Sequence, residues 1–134
     1  MSKEDELYNK ILLLSRNKLF YTDFNLSDTF INRVHLIFFH ISFLFIKIKQ
    51  NKLDSSYKSF YQKMFDLIFS KIEENMREIG YGDVTINKSM KSLVKTFYNI
   101  LLNCENYSQK SLKSKKSFLL NYFEENKVKK HSID

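Results

Sequence analysis

Proline, alanine and tryptophan are absent from this chain, and glycine occurs only at positions 80 and 82. With so little punctuation, backbone freedom is concentrated in one short corner, and the sequence on either side reads as long amphipathic helix. There is no strand-like alternation, no internal repeat and no linker that would split the chain. Cysteine is nearly missing as well. Cys104 stands alone, which excludes an intrachain disulfide and suits a reduced compartment. The N-terminus, Met1 to Glu6, is acidic and has no apolar run, so neither a secretory signal nor a transit peptide is expected there. If Met1 is the natural start, the protein is cytoplasmic.

What the chain does contain is aromatic and basic. Its 134 residues allow one domain with one core, and 43% of them are hydrophobic, with 13 Phe and 8 Tyr. A disordered chain would lack that content. Lysine and arginine number 22 against 15 acids, a net charge of +7 with a pI near 9.4. Such a surface suits anionic neighbours: ribosomal RNA or an anionic membrane surface. Heavy use of Lys, Asn, Ile and Phe also fits an AT-rich genome, which weakens arguments from any single lysine.

Apolar spacing predicts five helices. Helix one runs from Lys3 to Lys18, capped by Ser2, with Leu7, Ile11 and Leu14 as its stripe. Leu19–Ser27 reads as a connection. Helix two, Asp28 to Gln50, carries Phe30, Val34, Ile37, Ile41, Phe45 and Ile48 on one face and is apolar on the other from Leu36 onward. Arg33, His35 and Asp28 cut that run short of a membrane span, so it is expected to be a central, buried helix. After a polar turn at 51–56, helix three spans Ser56 to Ile79 with Tyr57, Tyr61, Met64, Phe65, Ile68, Ile72, Met76 and Ile79 inward. Gly80 suits the left-handed residue that ends it. Helix four, Ile86 to Asn103, is capped by Thr85 or Asp83 and buries Ile86, Met90, Leu93, Val94, Phe97, Leu101 and Cys104. A last helix at 109–125 turns Leu112, Leu119, Tyr122 and Phe123 inward and Lys110, Lys113, Lys115 and Lys116 outward. The expected fold is all-α: a single-domain bundle of about five helices around helix two, over residues 1–126, with a frayed basic tail at 127–134.

The chemistry of catalysis is hard to place. His35, His40, His131 and Cys104 fall at no metal-binding spacing, and no Glu-x-x-His occurs. Cys104 lies on an apolar stripe, where a thiol is inert. Glu73, Glu74 and Glu78 sit on or beside a solvated face with nothing to separate their pKa values. Gly80-Tyr81-Gly82 follows a helix, whereas a phosphate loop follows a strand. No metal, cofactor or catalytic residue is therefore expected, nor specific DNA recognition, since no helix-turn-helix, RRM or KH pattern is present. Binding through apolar surface remains.

The corner carries a resemblance. Met76-Arg77-Glu78-Ile79-Gly80-Tyr81-Gly82-Asp83-Val84, then Asn87-Lys88, Met90-Lys91 and Thr96-Phe97-Tyr98, resembles the ubiquinol–cytochrome c chaperone family. Upstream, Ser15 to Tyr21, Asp28 to Arg33 and Leu36 to His40 are similar to its N-terminal pattern, so the likeness runs from about Leu7 to Tyr107. Lys18 departs from it where proline is frequent, Asn32 where glycine is common, and the C-terminal region matches poorly. The resemblance implies a helical, non-enzymatic assembly factor of the cytochrome bc1 complex, of the bacterial stand-alone type. Its partner would be newly made cytochrome b or another bc1 subunit, with ribosome or inner membrane nearby. It also implies a motif set: Arg77, Glu78, Gly80, Gly82, Asp83, Arg16, Tyr21, Asp28, Arg33 and His40. Physically these are expected to lock the bundle first and to touch a partner second. Arg77 can pair with Glu73 or Asp83, and Asp28 with Arg33 or Arg16. His40 is expected near the corner. The rival readings are a basic membrane-surface or ribosome-binding domain without a client, and a bundle that holds a lipid or quinone.

Overall fold

Ser2 opens the first helix as a capping box: its hydroxyl accepts the Asp5 N–H at 3.1 Å while the Asp5 carboxylate reaches back to the Ser2 N–H at 3.4 Å. The computed structural model describes residues 2–22, 26–51, 57–107 and 110–123. Its helices are α1 (Lys3–Ser15), α2 (Leu19–Thr22), α3 (Phe30–Asn51), α4 (Tyr57–Ile79), α5 (Asp83–Glu105) and α6 (Leu112–Leu120). The described residues contain no strand-built layer, and the expected all-α bundle of about five substantial helices is what forms; α2 is a four-residue addition within the expected connection. The turn at 52–56, residues 124 and 125 and the tail at 127–134, His131 included, lie outside the described residues.

α3 is the centre. It packs closely against α1, α4 and α5, and Phe38 and Ile41 on it are fully buried. It starts at Phe30 rather than Asp28, because the Thr29 hydroxyl accepts the Asn32 N–H at 3.1 Å and so caps it. Asn32 is buried without penalty, its amide donating to the Ser27 carbonyl at 2.8 Å. Contrary to expectation, the polar residues near its start do not cut the apolar run of α3 short. Phe30–Lys49, 20 residues of mean hydropathy 1.5, is long and apolar enough to cross a membrane. Half of that stretch is buried inside the bundle, and burial rather than length accounts for its apolar character.

Several inward faces are rotated from the expected ones. α1 stops at Ser15, where the Arg16 N–H turns onto the Leu12 and Leu13 carbonyls. It buries Tyr8, Ile11 and Ser15, and leaves Leu14 54% exposed. α1 packs mainly against α3 and α4, so it buries one narrow row, and Ser15 is tolerated in it because its hydroxyl donates to the Ile11 carbonyl at 2.9 Å. On α4 Ile79 is outward at 55% exposure, being the last residue before the chain turns away. Phe69 on α4 and Ile100 on α5 join the core unforeseen. Phe38, Phe69 and Phe97 meet at ring distances of 5.3–6.0 Å where α3, α4 and α5 converge.

α5 begins at Asp83, three residues earlier than expected, with Gly82 in the N-cap position and no side-chain cap. Thr85 and Asp83 do not cap it because both lie within the helix, where the Asp83 carboxylate is engaged by Arg77. α6 ends at Leu120, buries Phe118, and exposes Leu112 almost entirely, reversing the expected role of that leucine. α6 reaches α3 mainly through rings: Phe39 lies 5.3 Å from Phe118, 5.7 Å from Tyr122 and 5.4 Å from Phe123.

Candidate functional site

The motif residues divide into two clusters. At the corner, α4 closes with the two hydrogen bonds of a Schellman cap: Tyr81 N–H to the Met76 carbonyl at 3.1 Å and Gly80 N–H to the Arg77 carbonyl at 3.1 Å. Gly80 has φ of +107°, a conformation L-residues avoid. Arg77 spans the turn, donating to Asp83 at 2.6 Å and lying 3.5 Å from Glu73, and the Asp83 bond pushes its pKa up. Glu78, Gly82 and Asp83 are exposed.

The second cluster lies at the ends of α1 and α2 and the start of α3. Tyr21 donates its hydroxyl to the Ser15 carbonyl at 3.4 Å, and Arg33 pairs with Asp28 at 3.3 Å. Arg16 and Arg33 flank a cleft of only about 50 Å³ over Tyr8 and Ile72, too small for a ligand larger than water. His40 lies away from the corner and meets the second cluster at Ser15. Its Nδ1–H donates to the Leu36 carbonyl at 2.6 Å and Nδ1 lies 3.5 Å from Ser15 Oγ, so it is not part of the Arg77 network as expected. The 3.6-residue period turns it toward α1 and α2, where Phe20 meets it edge-on at 6.0 Å.

His40 does, however, line an apolar groove of about 690 Å³ between α3 and α6, within the range of ligand sites. From α3 come Leu36, Phe39, His40 and Phe43; from the α6 side come Lys116, Leu119, Leu120 and Phe123. Both sets follow the spacing i, i+3, i+4, i+7, so a stripe on α3 and a stripe running from α6 to Phe123 border the groove, touching where Phe39 meets Phe123 at 5.4 Å. Phe20 and Leu26 also line it, and Tyr107 lies against Phe43 at 5.2 Å. Lys116 is the one lysine among the lining residues, and Lys115 covers the outer side of Tyr107 at 5.0 Å. The α6 wall is pinned by His35, whose Nδ1–H donates to the Tyr122 carbonyl at 2.6 Å; burial pushes the His35 pKa down.

Most of this site escaped the motif set, which contains only His40 from it. Its signal was present as the second apolar face of α3, more hydrophobic surface than one neighbouring helix can cover. Reactive groups are not gathered here. No three His, Cys, Asp or Glu side chains cluster among the described residues, and burial pushes the Cys104 thiol up to about 12.

The described residues thus form a helical bundle with an open apolar groove along its central helix. The chain belongs to the ubiquinol–cytochrome c chaperone family, whose model matches residues 22–116. The matched span contains the corner and most of the groove; Arg16 and Tyr21 fall before it, and it runs past Tyr107 to Lys116. The fold is similar to the crystal structure of the Cbp3 homolog from Brucella abortus: TM-score 0.75 at 23% identity, covering 90% of this chain and 66% of that one. The chain thus spans just under two thirds of that protein's length. No curated protein sequence matches it.

Proposed function

We propose that this chain is a non-enzymatic assembly factor that holds an apolar helix of newly made cytochrome b in the α3–α6 groove during assembly of the cytochrome bc1 complex. One observation carries this reading: an apolar groove of about 690 Å³ between α3 and the α6 side stays open among the described residues. Family membership supports the client's identity, and the basic surface suits work beside a ribosome or at the cytoplasmic side of the inner membrane. The corner residues Arg77, Glu78, Gly80, Gly82 and Asp83 then act by holding α4 and α5 as a rigid wall behind α3. Arg16, Tyr21, Asp28 and Arg33 do the same for α1.

Photo-crosslinking from Phe43 or Leu119 in cells tests the proposal, with Val84, 70% exposed at the start of α5, as the control position. Cytochrome b should be recovered from the groove positions and not from the control. Recovery of no bc1 subunit, or equal recovery from Val84, would sink it.

A further inference from the structure

We propose that α6 docks on an anionic lipid surface. In nine residues this helix has three lysines and no acid, and it buries only Phe118. Lys110 and Lys115 lie over the rings of Phe118 and Tyr107 at 5.2 and 5.0 Å. On the opposite face Leu112, Lys116 and Leu120 recur every fourth residue, with Lys113 one step around the helix. Leu112 is 84% exposed and Leu120 46%. Leucines left in water between lysines match an interface in which apolar tips enter the acyl boundary and ammonium groups meet phosphates. A nucleic acid would use the lysines but give the two leucines nothing to contact, so lipid is the better complement. The face is also continuous with the groove, since Lys116 and Leu120 line both. Docking would therefore bring the groove to the surface where apolar segments enter a bilayer; that clause rests on the client reading above, whereas lipid docking itself does not.

Flotation of the full chain with phosphatidylcholine vesicles, with and without phosphatidylglycerol, tests the proposal. The chain should float with the anionic vesicles only, and less as salt rises. Lys113→Glu should weaken binding by about fivefold or more. Leu112→Gln, which leaves the charge unchanged, should weaken it by roughly fivefold through lost apolar burial. Neither residue lines the groove, so crosslinking of the client from Phe43 should persist in both variants, and matching circular-dichroism melts establish that they are folded. Failure to float with anionic vesicles overturns the proposal. So does binding that Lys113→Glu weakens and Leu112→Gln does not, which is the signature of a polyanion surface.

Discussion

Gly80 shows how much one residue can settle. A Cβ placed there meets nothing within 4 Å, so its cost lies in the backbone alone. Gly80→Ala should lower stability by about 1 kcal/mol or more, read as a lower urea midpoint with an unchanged slope. Ser42 is the opposite case. Its hydroxyl is fully buried on α3 and has no hydrogen-bond partner among the described residues, although a helical serine can bond the carbonyl one turn back. Ser42→Ala should therefore raise stability, by roughly 1 kcal/mol, in the same measurement. A fall instead would mean that the hydroxyl is satisfied, by water for instance. Gly80 was legible in the sequence because a glycine in a glycine-poor chain reports its backbone. Ser42 was not, since a serine in an apolar run reads equally as solvent-facing.

At the scale of elements, α6 depends on its attachment to α3, and that attachment is pH-sensitive. Burial holds the folded His35 pKa below its ordinary value of 6.5 despite the bond to Tyr122. Below pH 6.5 the unfolded chain binds the proton more readily, so folding must give it up. The contribution is complete above 6.5 and declines as the pH falls toward and through the lower folded value. Urea midpoints should rise between pH 5 and pH 7, and His35→Gln should flatten that slope. The meeting of α3, α4 and α5 is less conditional. Phe97 is 1% exposed among rings from both neighbouring helices, so Phe97→Ala should cost about 3–5 kcal/mol and reduce the melting temperature sharply. Helix existence was readable from apolar spacing. Helix phase was less so, as Leu14, Ile79 and Leu112 show: each lies on its helix's apolar side, and each ends outward because no neighbour reaches it.

For the molecule as a whole, we propose one folding unit ending near Asn126. A chain truncated after Asn126 should melt in a single transition at the parent temperature, and a lower or split transition would move that boundary. By itself the sequence determined the number and order of the long helices, the left-handed corner at Gly80 and the family, because periodicity, glycine placement and motif are properties of a string. Only the tertiary structure decided which stripe each helix buries, that Asp83 pairs with Arg77 instead of capping α5, and that an apolar groove stays open between α3 and α6 beside their ring contacts. Those outcomes depend on the distance between helices. An apolar residue looks the same in a sequence whether its neighbouring helix packs against it or stops one ring short.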